Sequence, residues 1–146
     1  MSLSPNFTLA EMTRTGQSAL AVKNANEAHP YIPALTALCT TILEPIRARF
    51  GPVKVNSGFR GPAVNAAVGG SATSQHSKGE AADIVCPGAS LDEVMSWIVN
   101  ESGIKYGQVI REPSWLHVSL GAPWRPAAKC GQALQTSDAK TYKAWP

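Results

Sequence analysis

Long apolar runs, clustered charge and paired cysteines are all missing from this chain of 146 residues. No apolar run approaches the ~18 residues that a membrane-spanning helix requires. The N-terminus, Met1-Ser-Leu-Ser-Pro-Asn-Phe7, has neither the basic nor the apolar region of a signal peptide. The sequence therefore predicts a protein that is made in the cytoplasm without a signal peptide and that does not insert into a membrane.

Charge and cysteine content exclude two further classes of protein. The net charge is only +3, and the basic residues form no cluster, so we expect no nucleic-acid partner. The three cysteines, Cys39, Cys86 and Cys130, follow no spacing typical of a disulfide framework or a cysteine zinc site. Cys39 and Cys86 lie in apolar segments, which predicts two buried thiols. We expect a monomer whose folding does not depend on oxidation.

Apolar periodicity and turn residues predict an α+β fold, with a small, mostly antiparallel sheet and flanking helices in a single domain over residues 1–146. Capping-box spacings begin helices after Thr8 and Ser90, the second reaching about Asn100. A helix over residues 33–50 should kink or split at Pro45. Residues 13–30 are predicted to be loop, and 121–146 form a C-terminal extension of uncertain structure. The predicted strands cover residues 53–56, 81–85, 108–112 and 115–120.

Two of the three histidines lie in motifs that are typical of a metal site. His76 and Asp83 are seven positions apart in Ser74-Gln-His-Ser-Lys-Gly-Glu-Ala-Ala-Asp83, and His117 lies in Trp115-Leu-His-Val-Ser119. Two imidazoles and one carboxylate form the ligand set of a catalytic zinc, which keeps its fourth position open for water. A lone histidine in a strand is more often structural, whereas an aspartate in an apolar strand is costly to bury unless it is paired or metal-bound. These residues alone leave a metal site and a structural role about equally supported.

A predicted hairpin through Pro113-Ser114 brings a carboxylate close to His117. A two-residue loop pairs Glu112 with Trp115 and residue 110 with His117, so that residues 108, 110, 112, 115, 117 and 119 share one face. Residues 109, 116, 118 and 120 then face the core, with Arg111 as the one misfit. Glu112 lies diagonal to His117, roughly 7 Å away between backbones, which suits a general base. The turn is not of a usual two-residue type, so a register shifted by one residue stays open.

Arg60 is a further candidate, because it follows Ser57-Gly-Phe at the end of a predicted strand. It could form a surface salt bridge, or it could direct its guanidinium at a substrate carboxylate or a developing oxyanion. His29, which precedes a proline in a polar segment, and Glu80 are both predicted to be surface residues.

Together these motifs resemble the zinc D-alanyl-D-alanine carboxypeptidase family, in particular its small phage and prophage branch. The resemblance runs from Leu3 to about Ser119. It rests on Ser57-Gly-Phe-Arg60, on Ser-x-His-x-x-Gly-x-Ala-x-Asp at residues 74–83, and on Trp115-x-His117. The resemblance implies a fold shared with hedgehog signalling domains, one catalytic Zn²⁺ per chain, and bacterial peptidoglycan as the partner whose stem peptides or cross-links are cleaved.

The resemblance also implies roles for five residues. His76, Asp83 and His117 match the zinc ligands, Arg60 matches the arginine that steadies the scissile carbonyl oxygen, and Glu112 occupies the place of the catalytic base in the phage branch. Several relatives carry that glutamate three residues before the last histidine, where this chain has a serine.

These expectations favour a phage or prophage lysis enzyme that accumulates in the host cytoplasm and acts on the cell wall after release. The alternative is a non-catalytic, zinc-containing cell-wall-binding or phage structural protein, against which the presence of Glu112 and Arg60 argues. A dipeptidase for free D-Ala-D-Ala would need an active site closed at one end. The D-Ala–D-Ala terminus, the D-Ala–diaminopimelate cross-link and the L-Ala–D-Glu bond all remain open as the bond that is cut.

Overall fold

The computed structural model describes all residues, 1–146, and has the predicted α+β fold. The helices are α1 (Leu9–Thr13), α2 (Ala21–Glu27), α3 (Ile32–Leu38), α4 (Glu44–Phe50), α5 (Pro62–Ala67) and α6 (Leu91–Asn100). The strands are β1 (Ser2–Ser4), β2 (Phe7–Thr8), β3 (Lys54–Ser57), β4 (Ala81–Val85), β5 (Tyr106–Arg111), β6 (Leu116–Leu120), β7 (Gln132–Gln135) and β8 (Lys143–Ala144).

Six strands form the main sheet, in the order β3-β4-β6-β5-β7-β8. All neighbouring pairs are antiparallel except β5 and β7, which are parallel. Strands β1 and β2 form a separate antiparallel ribbon. The predicted mostly antiparallel sheet is therefore confirmed, and the parallel pair is an addition that comes from the C-terminal segment.

Both predicted capping positions begin helices. The hydroxyl of Thr8 accepts a hydrogen bond from the Glu11 backbone N–H at 3.1 Å, and α1 follows. At Ser90 the reciprocal box is complete, because Ser90 accepts from the Glu93 N–H while the Glu93 carboxylate accepts from the Ser90 N–H. These bonds satisfy backbone donors that a helix N-terminus would otherwise leave open.

The long helix predicted over residues 33–50 is continuous, but its hydrogen-bond pattern changes in the middle. Between α3 and α4 the chain makes a π-helical turn at Cys39–Leu43, in which the Glu44 N–H donates to the Cys39 carbonyl five residues back. Pro45, in the first turn of α4, has no N–H to donate. The wider turn lets the helical segment continue past the proline, and the segment ends at Gly51, which has φ +84°.

The loop predicted over residues 13–30 is wrong, because this segment contains a short 3₁₀ turn and α2. Helix α2 is stabilised by a tertiary contact that its own sequence does not reveal. The buried Asn24 side chain donates to the Thr13 carbonyl at 2.7 Å and to the Phe59 carbonyl at 3.1 Å, and it accepts from the Gly61 N–H at 2.7 Å. Three such bonds offset the cost of burying the amide.

One face of the main sheet packs on the helices and the other carries the polar site. The core includes Val109, Leu116, Val118 and Leu120 of the hairpin strands, as predicted, packed with the α3–α4 helical segment and α6. Cys39 and Cys86 are buried, as expected, and burial raises the pKa of the Cys39 thiol to about 12. No helix has the length and apolar character needed to cross a membrane.

Arg111 is the one charged residue on the core-facing side of β5, and its side chain extends away from the core at the end of the sheet. Its guanidinium pairs with Asp92 in the first turn of α6 at 2.8 Å, and it also donates to the Glu112 and Pro113 carbonyls. The predicted two-faced hairpin is therefore confirmed, because the Arg111 side chain reaches solvent and its hydrogen-bond partners outside the core.

Candidate metal centre

Three side chains from separate segments meet on the polar face of the sheet. Asp83 and His117 are directly paired across β4 and β6, while His76 comes from the 3₁₀ turn at Gln75–Lys78. The Asp83 Oδ1 atom lies 3.3 Å from His76 Nε2 and 3.1 Å from His117 Nδ1. One ligand atom from each residue lies within 4.8 Å of the other two. The tertiary structure thus assembles the three residues that the sequence singled out.

The outer nitrogen of each imidazole faces an oxygen that can only accept a hydrogen bond. His76 Nδ1 lies 2.8 Å from the Gly58 carbonyl, and His117 Nε2 lies 3.1 Å from the Gln75 side-chain Oε1. Each ring can therefore donate a hydrogen bond from that outer nitrogen, in the tautomer that carries its proton there. The inner nitrogens, His76 Nε2 and His117 Nδ1, are left to face Asp83 with a lone pair or with a second proton.

This arrangement fits a zinc ion. A cation among the inner nitrogens and the carboxylate removes the repulsion between their lone pairs. Two ligands bonded to tetrahedral zinc at about 2.0–2.1 Å lie about 3.3 Å apart, which agrees with the two distances at Asp83. The outer acceptors are the kind of partner that orients metal-bound histidines. His76, Asp83 and His117 would hold the ion, and Asp83 and His117 remain partly accessible from the cleft.

Asp83 is ionised at neutral pH. Burial alone would raise the pKa of its carboxyl, but its contacts with His117 and His76 outweigh burial and hold that pKa well below the usual range. The anion is the form that binds metal. The centre therefore offers a permanent negative charge between two imidazoles.

Two motif glycines let the chain approach closely at this site. A side chain on Gly58 would collide with the Met12 carbonyl, and Gly58 supplies the carbonyl that His76 binds. Gly79 ends the 3₁₀ turn in the left-handed conformation, φ +69°, with Leu35 and Tyr31 packed against it. Both positions need a residue without a Cβ.

Arg60 lies in the same cleft as the three candidate ligands. Its backbone N–H donates to the His76 carbonyl at 3.0 Å, which ties the arginine segment to the ligand segment. Its Nη2 lies 3.4 Å from the Ser74 hydroxyl, and its buried Nε has no partner. Arg60 forms no salt bridge, so the surface ion pair considered from the sequence is absent and the guanidinium is free for a ligand.

Glu112 reaches the cleft through the hairpin register predicted from the sequence. Ile110 pairs with His117, and the Glu112 N–H donates to the Trp115 carbonyl at 3.0 Å. The side chain is only 6% exposed, and its Oε2 atom has no hydrogen-bond partner. Burial raises the pKa of Glu112, the negative Asp83 adds to the rise, and His117 opposes it. A buried carboxylate with an unpartnered oxygen is suited to accept a proton.

Sequence reasoning missed three residues that support the site. Gln75 fixes the outer nitrogen of His117, Asn24 anchors the backbone on both sides of Arg60, and the Tyr142 hydroxyl lies 3.5 Å from Glu112 Oε1. Gln75 could have been suspected, because it lies inside the histidine motif. Asn24 and Tyr142 are far away in sequence and carry no motif, so nothing in the chain pointed to them.

Other candidates lie outside the cleft. His29 is exposed, as predicted. Glu80 is half-buried, and burial raises its pKa, but its side chain does not line the cleft. Ser114, where some relatives carry their glutamate, is exposed in the hairpin turn. Glu112 is therefore the acid in the cleft besides Asp83.

The geometry of this centre is compatible with a metallopeptidase, and comparison with known families gives that class. A family model described as Peptidase M15 matches residues 5–119, and the chain belongs to this family. The family is zinc-dependent and acts on peptidoglycan. No curated protein matches the chain. Residues after 119 lie outside the family match, although β7 and β8 continue the same sheet.

Proposed function

We propose that this protein is a zinc peptidase that hydrolyses peptide bonds of bacterial peptidoglycan, with His76, Asp83 and His117 as the zinc ligands. The observation that carries the proposal is the convergence of two inner histidine nitrogens on the Asp83 carboxylate at 3.3 and 3.1 Å, with both outer nitrogens held by acceptors. Zinc, when bound, polarises the scissile carbonyl and lowers the pKa of a coordinated water to about 7.

Glu112 is the general base in this proposal. Its Oε2 atom, which has no partner in the protein, takes a proton from the attacking water and later delivers it to the leaving amide nitrogen. The Tyr142 hydroxyl lies 3.5 Å from the other oxygen, Oε1, and 3.2 Å from the Ala139 carbonyl, so it can donate its one proton to either acceptor. Its raised pKa makes Glu112 a stronger base than an exposed glutamate, which suits both transfers.

Arg60 stabilises the negative charge that develops on the substrate carbonyl oxygen. The guanidinium is half-buried and free of acidic partners, and Asn24 fixes the backbone of its two neighbours, Phe59 and Gly61. A preorganised donor at a developing oxyanion contributes about 2.7–4 kcal/mol to catalysis.

The cellular role that we propose is lysis by a phage or prophage, which rests on the resemblance of the motifs to that branch of the family. The non-catalytic alternative, a wall-binding or structural protein, keeps the zinc ligands but needs no base. The buried Glu112 favours the enzyme, because burying a carboxylate with one unpartnered oxygen costs stability that a binding protein would have no reason to lose.

The test is digestion of purified peptidoglycan followed by mass spectrometry of the released muropeptides, with zinc-loaded and chelator-treated protein compared. We expect zinc-dependent products whose masses identify the bond that is cut. Lysis of outer-membrane-permeabilised bacteria by the same two samples tests the cellular role. Binding to the wall without any zinc-dependent product would contradict the peptidase and support the non-catalytic alternative.

A further inference from the structure

The C-terminal segment, residues 121–146, contributes to the cleft although it lies outside the family match. Strand β7 lies beside β5 in parallel register, with Gln132 opposite Gln108 and Gln135 opposite Arg111. This pairing brings Arg125 and Tyr142 to the wall of the cleft that holds the candidate metal ligands. The segment is thus part of the surface that a substrate would meet.

Arg125 is held in place without being neutralised. Its Nε donates to the Lys129 carbonyl at 2.9 Å, and its Nη2 donates to the Gln132 Oε1 at 3.4 Å. The same Gln132 oxygen accepts from the Gln108 side chain at 2.8 Å. Arg125 forms no salt bridge, although Glu80 is near enough for the two charges to interact.

A guanidinium has five N–H donors, so two bonds to the protein leave three for a ligand. The two bonds orient the planar group, and an oriented guanidinium binds a carboxylate through paired hydrogen bonds. Arg60, the other arginine of the cleft, also lacks an acidic partner. The cleft of about 460 Å³ therefore presents two guanidinium groups that form no salt bridge.

The two arginines reach the cleft from different parts of the sheet. Arg60 lies three residues after the end of β3, whereas the Arg125 guanidinium is bound to Gln132 of β7, a strand four positions from β3 in the sheet order. Each arginine can therefore bind a different group of one substrate.

We propose that Arg125 is a specificity-determining residue that binds a carboxylate of the substrate at a distance from the cleaved bond. The substrate class is an anionic peptide, such as a peptidoglycan stem peptide with the free α-carboxylate of its D-glutamate. The inference rests on the proposed peptidase function and deepens it, because it names the substrate group that a residue outside the family match would bind.

The experiment compares zinc-loaded wild-type protein with Arg125→Met and Arg125→Lys on two synthetic peptides. One is L-Ala-γ-D-Glu-L-Lys-D-Ala-D-Ala, and the other is the same peptide with the D-glutamate α-carboxylate amidated. Lys129→Met is the matched control, since it removes one positive charge from the same segment and its side chain does not line the cleft. Zinc content and thermal unfolding are recorded for every variant.

For the carboxylate peptide, we expect Arg125→Met to raise KM by roughly 10- to 100-fold, the worth of a charge-assisted hydrogen bond. Its kcat should stay within about threefold of wild type, because the contact is made in the ground state as well. Arg125→Lys should fall between wild type and Arg125→Met. Amidation should weaken wild type to a similar degree and remove the effect of the mutation, while Lys129→Met behaves as wild type.

Equal KM values for the two peptides in wild type, or an equal effect of Arg125→Met on both, would overturn the subsite. Should wild type hydrolyse neither peptide nor whole peptidoglycan, the peptidase proposal itself is wrong. Calorimetric binding of the intact peptides to the same variants then decides the subsite independently, by the same dependence on the carboxylate. Amidation also tests the subsite in unmodified protein, so a variant that folds poorly does not obscure the answer.

Discussion

Gln75 gives the sharpest test of the metal centre, because it touches a candidate ligand without being one. Its Oε1 lies 3.1 Å from His117 Nε2, on the side of the ring opposite Asp83. Replacement by leucine keeps a similar volume and removes the acceptor. The His117 ring then loses the partner that keeps its Nδ1 free for zinc, and the Nε2 proton loses its hydrogen bond.

The expected loss follows from this one contact. A hydrogen bond to a group that becomes more positive on metal binding contributes about 1.5–3 kcal/mol, which corresponds to roughly 10- to 150-fold in affinity because 1.4 kcal/mol is about tenfold. This range agrees with the 10–100-fold that loss of such an outer partner typically costs. Gln75→Glu keeps an acceptor and adds negative charge, so we expect it to bind zinc at least as tightly as wild type.

The assay is competition for zinc with a chromophoric chelator at neutral pH, with circular dichroism as the check on folding. Lys78→Ala is the control, because Lys78 is exposed in the same 3₁₀ turn. If Gln75→Leu binds zinc as tightly as wild type while Gln75→Glu shows no change, the tautomer argument is refuted. His117 would then take up the metal without help from its neighbour.

Four further outcomes are expected. Asp83→Ala and His117→Ala should each lose most of their zinc by elemental analysis, and full retention in both would remove them as ligands. Glu112→Gln should keep zinc and fold but lose roughly 10²–10⁴-fold in hydrolysis rate, and near-full activity would place the base elsewhere, with Glu80 tested next. Arg60→Lys should lower kcat more than it raises KM, because the planar fork is lost, whereas a pure KM effect would mark Arg60 as an anchor for a substrate carboxylate. Burial raises the pKa of Glu112 in the folded chain, so the metal-free protein loses stability as the pH rises from the ordinary glutamate pKa of about 4.3 through that raised pKa. Glu112→Gln should therefore raise Tm at about pH 7 and not at about pH 3.5. A lower Tm at both pH values would show that the carboxylate stabilises the fold.

Local signals in the sequence were enough to predict much of the fold. Capping residues at Thr8 and Ser90, the apolar composition of β4, and the two-faced hairpin all have their physical cause within a few residues of chain. The hairpin register followed from loop length alone, although Pro113-Ser114 is an unusual turn. The same register placed Glu112 diagonal to His117, so part of the site geometry was predictable as well.

Residues that act through distant contacts were not predictable. Helix α2 was assigned to loop because its Asn24 is stabilised by carbonyls 11 and 35 residues away. The C-terminal strands were not predicted because β7 pairs with the free edge of β5 and β8 then pairs with β7. No local sequence pattern indicates such a parallel pairing. Tyr142 and Arg125 reach the cleft only through that pairing.

By itself, the sequence determined which residues could form the centre, because the residue types and spacing of His76, Asp83 and His117, together with Ser57-Gly-Phe-Arg60, indicate a metal site. Tertiary structure alone decided how they meet. Antiparallel pairing of β4 and β6 puts Asp83 opposite His117, the Gln75–Lys78 turn brings His76 to the same point, and the Gly58 and Gln75 oxygens fix which nitrogen of each ring faces inward. Hydrogen-bond geometry between distant segments sets ligand orientation, and that information exists only once the chain has folded.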